Sequence, residues 1–198
     1  MSGRVKAGIV LFVEIALVVG YLVAFGIFVT QSEDFLIAHN NSHAAAAAAA
    51  REPELPAFFE FGLDRPDDEL LGQGWHGAED GRWTKSPALL FLPVVADAGP
   101  MRLVIDGRPF LAEGRDTASM TLSIDGTQVA QWAATFGEPL PVFEVMIPSA
   151  AAADGLLELQ IEAPAIVPSY HSQSLDKRKI GFLLRSISIT AADDPNVE

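Results

Sequence analysis

The residues with the most obvious chemical reach lie in "GQGWHGAEDGRW", Gly72 to Trp83, where four glycines and two tryptophans share twelve positions. An indole offers an apolar face for a sugar ring and one N–H donor, so Trp75 and Trp83, with Arg82 between them, are candidates for gripping a glycan. The same residues suit a structural corner, in which glycines permit tight turns and tryptophans pin the edge of a sandwich. The corner is the preferred reading, with Arg82 in a local ion pair with Glu79 or Asp80. A phosphate cradle is not supported, because it must open a helix, and here Trp83 and Pro87 lead into a strand-like run.

Other chemistry is weaker. Asp64, Asp67, Asp68 and Glu69 in "LDRPDDE" are oxygen donors of the kind calcium takes, but they lack the spacing of an EF-hand loop and read as a solvated acidic turn. His39 and His43 stand four apart, a helical spacing seen in zinc sites, without a third ligand at useful spacing. Ser169, His171 and Asp176 could form a nucleophile relay only on proximity in sequence, and no G-x-S-x-G elbow is present. Among 26 acidic residues nothing singles out a pair for glycoside hydrolysis. The cluster "DKRK" (176–179) reads as a solvated turn or as a contact for lipid headgroups or an acidic partner. No enzyme, cofactor or metal is therefore expected.

Composition narrows the partners. The 198 residues carry a formal net charge of −13, which repels polyanions and argues against nucleic acid. Cysteine is absent, which removes disulfides, thiolate metal sites and a Cys nucleophile.

The run "AGIVLFVEIALVVGYLVAFGIFV" (7–29) is the strongest element signal. A helix of that length crosses a hydrocarbon core roughly 30 Å thick, so residues 1–30 are expected to be a cytoplasmic N-terminus and a transmembrane helix rather than a cleaved signal peptide. Arg4 and Lys6 precede it and Glu33 and Asp34 follow, which places the N-terminus in the cytoplasm and the rest of the chain outside. Ala16, Gly20 and Ala24 recur every fourth residue and form a face without bulk on which another helix can dock. Glu14 puts a carboxylate at membrane depth, where a partner group, protein or water is expected to face it. Together Glu14, Ala16, Gly20 and Ala24 suggest docking on an integral membrane protein complex.

Residues 31–56 read as a stalk: an alanine tract, with Ser42 as the cap of a short helix ending before Pro53. From 57 to 192 the pattern becomes short apolar or alternating runs at 88–95, 101–112, 119–133, 142–148, 156–163 and 180–189, divided by Gly, Pro and Asp. Asp125-Gly126 in "TLSIDGTQVAQW" is the clearest hairpin turn, with Leu122, Ile124, Val129 and Trp132 toward one buried face. Without crossover helices the strands must be antiparallel, so the expected fold class is all-β, a jelly-roll-like antiparallel sandwich, followed by an acidic tail at 193–198.

The Gly74-Trp75 and Gly81-Arg82-Trp83 segment, the hairpin "SIDGTQVAQWA" and the terminal "DKRKIGFLLRSI" also carry a family likeness. Over residues 57 to 190 the chain resembles a bacterial β-sandwich domain appended to polysaccharide-synthesis glycosyltransferases and related envelope membrane proteins. In outline that domain is similar to carbohydrate-binding jelly rolls. The resemblance implies an exported, noncatalytic accessory domain. Combined with the anchor, it leads to a single-pass protein of the bacterial inner membrane with a periplasmic sandwich, acting as an accessory subunit of a membrane complex. The alternative is a membrane-tethered module that binds a glycan during envelope polysaccharide synthesis.

Overall fold

The computed structural model describes residues 3–112 and 114–192, with side chains from Leu17 onward. Glu14 and Ala16 lie outside the described side chains, and the acidic tail at 193–198 lies outside the described residues. The chain falls into two compact units, one ending at His39 and one beginning at Asn40.

Helix α1 runs over Gly3–Ala49 without a break. Its described part is long and apolar enough, by length and composition, to cross a membrane. The expected restart at Ser42 does not occur. Thr30 and Ser32 return their hydroxyls to carbonyls of the preceding turn, Oγ1 to Gly26 O at 3.1 Å and Oγ to Phe28 O at 2.7 Å, so neither breaks the helix. Alanine, the strongest helix former, then carries it forward.

Among the described residues of the second unit nine strands form two sheets: β1 (Ala57–Glu60), β2 (Arg82–Trp83), β3 (Ala88–Pro93), β4 (Met101–Pro109), β5 (Thr117–Ile124), β6 (Thr127–Thr135), β7 (Phe143–Ile147), β8 (Leu156–Glu162) and β9 (Phe182–Ala191). The first sheet has the order β1-β9-β4-β7, with β2 also on β9, and the second has β3-β8-β5-β6. All pairings are antiparallel. Apart from the two-residue β2, the chain is one long ribbon folded on itself. First strand pairs with last, second with next to last, and inward to the β5–β6 hairpin, which is the jelly-roll winding. The closing turn is Asp125-Gly126, with φ of 49° and 74°, as a tight type I′ turn requires.

Alternation fills the space between the sheets. Leu90 and Leu92 face Leu159 and Leu157 across β3 and β8, while Met101, Leu103 and Ile105 of β4 come from the opposite sheet. Trp132, Phe143 and Phe182 continue the core as edge-to-face pairs with ring centroids 5.7 and 5.2 Å apart. Leu122 and Ile124 are fully enclosed, and Val129 and Trp132 are packed against them at the margin.

Strand β3 is buried on both faces, which one sheet cannot achieve alone. Its outer side chains Leu89 and Phe91 lie beside Gly72, as does the Asn41 side chain of α1, whose Oδ1 accepts from the Gln73 N–H at 2.8 Å. Ala44 and Ala48, one helical turn apart, have no solvent exposure and belong to the same core cluster. The alanine tract expected to be a spacer thus ends as a docking face. Methyl-sized side chains let this part of the helix approach the sheet closely.

Candidate functional site

The glycine- and tryptophan-rich segment is a corner. Trp75 donates its indole N–H to Leu89 O at 2.6 Å and pairs across the backbone with Thr84. At Gly74, φ is +88° and an added Cβ would sit 2.1 Å from Pro87 O, so only glycine fits. Trp83 is 8% exposed and packs with Ile180, Leu183 and Phe110. Neither ring is presented as a free platform.

Arg82 holds this corner to the preceding turn. Its Nε donates to Asp68 Oδ1 at 3.0 Å, Nη2 donates to Asp68 Oδ2, and Nη1 donates to His76 O at 3.0 Å. The expected local pair with Glu79 or Asp80 does not form. Arg82 opens β2 and its direction is set by pairing with β9, whereas Glu79 meets Arg178 and Asp80 meets Arg185. The acidic turn, a 3-10 helix over Pro66–Leu70, is equally engaged. Asp67 accepts from Arg51 at 2.5 Å and from the Glu60 N–H at 2.7 Å, and Glu69 accepts from the same guanidinium at 2.8 Å. Asp67 and Asp68 are thus anchors, while Glu69 and Asp64 stay exposed to solvent as expected of an acidic turn. Among the described residues no group of three or more His, Asp or Glu is arranged for a metal. Asp176 turns its carboxylate to Arg178, away from any relay with Ser169 and His171; hydrogen bonding from that guanidinium holds its pKa below the usual aspartate range.

On α1, Gly20 and Ala24 are exposed and nothing described lies within 4 Å of a Cβ built on Gly20. His39 and His43 are exposed too.

The uncovered polar surface lies on the outer face of the first sheet. Register places Glu60 of β1, Ser186 of β9 and Asp106 of β4 in one row across three strands, with Phe58 beside Ser188 and Val104 in the next row. Between Asp106 and Gly107 the register slips, so Arg185 is the extra residue of a bulge on β9. This bulge and the turns at Gly62 and Gly81 enclose a cleft of about 320 Å³. Phe58 and Leu63 form apolar walls, 63% and 66% exposed. The polar groups are Glu60, paired with Arg65 at 2.9 Å, and Arg185, which reaches Asp80 at 3.3 Å while its enclosed Nε has no partner. Asp106 and Ser186 complete the floor. The sequence reading overlooked Phe58 and its neighbours. The available signal was "AFFEF", in which Phe59 and Phe61 alternate inward and Phe58 and Glu60 outward.

No protein-family model matches the chain, and no curated protein matches it in sequence. Solved structures do align with it. A ruminal GH26 endo-beta-1,4-mannanase aligns over 74% of this chain and 28% of its own, with 15% identity and a TM-score of 0.40. The C-terminal carbohydrate-binding module CBM6 of a marine laminarinase from Zobellia galactanivorans aligns over 68% and 98%, with 8% identity and a TM-score of 0.35. The module CBM35 from Paenibacillus barcinonensis aligns over 70% and 92%, with 14% identity and a TM-score of 0.33. The chain spans about a third or less of the mannanase and of an acetyl xylan esterase from Butyrivibrio proteoclasticus, 28% and 32% of their lengths. Such distant likeness concerns fold and nothing finer. The expected attachment to glycosyltransferases has no counterpart among these structures.

Proposed function

We propose that this chain is a noncatalytic, membrane-tethered module that holds a glycan in the cleft on the outer face of the first sheet. The observation that carries this reading is the uncovered pairing of Phe58 and Leu63 with Glu60, Asp106, Arg185 and Ser186. A sugar presents an apolar C–H face and a rim of hydroxyls, each needing a donor or acceptor, and this cleft offers both kinds of contact. Carboxylates accept from hydroxyls, and the Ser186 hydroxyl and the Arg185 guanidinium at the cleft offer donors. In this reading α1 anchors the module in the bacterial inner membrane, with the basic N-terminus in the cytoplasm and the sandwich in the periplasm. Tethering raises the local concentration of a weak binding site at the membrane surface.

The test is oligosaccharide binding by the full-length chain in detergent micelles, screened on a glycan array and measured by titration calorimetry. Phe58→Ala should weaken binding by about tenfold, given that an aromatic face is worth roughly 0.5–1.5 kcal/mol beyond its area. Because Phe58 is largely exposed, stability should change by no more than about 0.5 kcal/mol. Undiminished binding in Phe58→Ala, or silence across the array, would sink the proposal.

A second reading, an accessory subunit docked through its helix, is favoured by the exposed Gly20 and Ala24 face. Glu14 and Ala16 would extend that face. Co-purification from native membranes separates the readings: partners lost on Gly20→Leu with Glu14→Leu would support the subunit, and an unchanged partner set would count against it.

A further inference from the structure

A second pocket, of about 370 Å³, lies on the outer face of the second sheet, away from the first-sheet cleft. Thr117 and Ser119 of β5 and Ala133 of β6 form one wall, the segment from Pro164 through Ile166 to His171 forms another, and the turn at Gly114-Arg115 closes the end. Ser119 pairs with Ala133 across the hairpin while Ala118 and Met120 point into the core, so Thr117 and Ser119 are turned outward by alternation alone. A tight turn closed by the Arg115 N–H to Ala112 O bond at 2.8 Å, with Gly114 at φ +81°, brings Arg115 to the rim.

Arg115 differs from the six guanidiniums that meet a carboxylate and from Arg108, which is exposed. Arg51, Arg65, Arg82, Arg102, Arg178 and Arg185 each meet a carboxylate. Arg115 meets a backbone carbonyl, Nη2 to Pro164 O at 2.5 Å, and its Nη1 is enclosed with no hydrogen-bond partner. Among the described residues no carboxylate lines the pocket. Partial burial pushes the Arg115 pKa down, the direction that a guanidinium partly withdrawn from water takes when no carboxylate faces it. Desolvating a charge is costly unless an opposite charge and further hydrogen bonds meet it, and a guanidinium fits the oxygens of carboxylate or phosphate in particular. The Thr117 and Ser119 hydroxyls and the His171 ring supply additional hydrogen bonds around the same space.

We propose that this pocket is an oxyanion site, in which Arg115 is the counter-charge for the carboxylate or phosphate group of a small ligand. The site is independent of the glycan cleft and stands whether or not that cleft binds sugar. The remainder of the 370 Å³ pocket gives room for the molecule that carries the anionic group.

The test uses the full-length chain in detergent micelles, with acetate and inorganic phosphate as probes and chloride at matched ionic strength as reference. Titration calorimetry should show saturable binding of at least one oxyanion, weakened tenfold or more in Arg115→Met and partly restored in Arg115→Lys. Phosphate stabilises most folded proteins by exclusion from their surface, so a rise in melting temperature counts only as the difference between wild type and Arg115→Met. Should Arg115→Met fail to fold, the wild type alone answers the question through phenylglyoxal modification read by mass spectrometry. Oxyanion should protect Arg115 while the exposed Arg108 continues to react. Protection by acetate alone identifies a carboxylate ligand, and protection by phosphate alone identifies a phosphate ligand. The absence of saturable binding, equal binding by Arg115→Met, or Arg115 modification unaffected by either anion would overturn the proposal.

Discussion

Two parts of the sandwich's outer surface, the β3 side of the second sheet and the β1–β9–β4 part of the first, are built from similar residues and treated in opposite ways. Over the second sheet, the end of α1 and the segment from Pro66 to Trp75 cover β3, and their charges are joined to partners: Arg51 to Asp67 and Glu69, and Arg82 to Asp68. Across the first sheet, the row of Glu60, Ser186 and Asp106 lies open beside an exposed Phe58. The segment richest in tryptophan and glycine bridges the two regions: Trp75 packs on the covered side and bonds its indole N–H to Leu89 O, Trp83 is enclosed on β2 at the edge of β9, and only Glu79, Asp80 and Gly81 reach the open cleft. Residue type marks ligand chemistry only where the fold leaves the residue uncovered.

The comparison breaks first at Trp83. If this residue is a strut of the corner against β9, Trp83→Ala should lower stability by about 3–5 kcal/mol, the usual range for emptying a buried aromatic site. Urea unfolding of the full-length chain followed by circular dichroism reads that loss. A change under about 1 kcal/mol would mean that the ring is not held as a core residue.

Next in size is the helix end. Ala48 has no exposure, whereas Ala46, two residues earlier, faces solvent. Ala48→Leu should cost about 1–3 kcal/mol through overpacking. The same change at Ala46 should stay within about 0.5 kcal/mol. A spacer would tolerate both substitutions, so equal melting curves would return this segment to a stalk.

The long strands were legible because alternation and turn residues are local signals. The runs at 101–112 and 119–133 anticipate β4 and the β5–β6 hairpin, and Asp125-Gly126 marks the closing turn. Strands β1 and β2 are four and two residues long, too short for a period to register, and they exist because β9 offers them an edge. The alanine tract was ambiguous in principle, since small side chains suit both a solvated helix and a close-packed one. The anchors were hidden by distance: Arg51 and Asp67 are 16 positions apart, and Arg178 and Glu79 are 99 apart. The open cleft depends on strand register and on a bulge that displaces Arg185, neither of which any single stretch of sequence encodes.

The smallest effect concerns the cross-link from the covered corner to the loop before β9. Asp176 accepts from the Arg178 N–H at 2.9 Å and from its Nη2 at 2.6 Å, while the same guanidinium reaches Glu79 of the glycine-rich segment. Hydrogen bonding from Arg178 lowers the Asp176 pKa in the folded state. In the unfolded chain the group titrates near the ordinary aspartate value of about 3.9. The folded state therefore binds its proton less readily, and the resulting stability is present above that value and lost as pH falls through the lowered folded pKa. The pair is partly exposed, so water and salt limit its worth to at most about 1 kcal/mol. Asp176→Asn should melt slightly below wild type at pH 6, and the gap should close on acidification toward the folded pKa. Thermal scans of both proteins between about pH 2 and 6 measure that gap. A gap independent of pH would assign the contribution of Asp176 to its backbone hydrogen bonds rather than to its charge, and would loosen the electrostatic link between this loop and the corner.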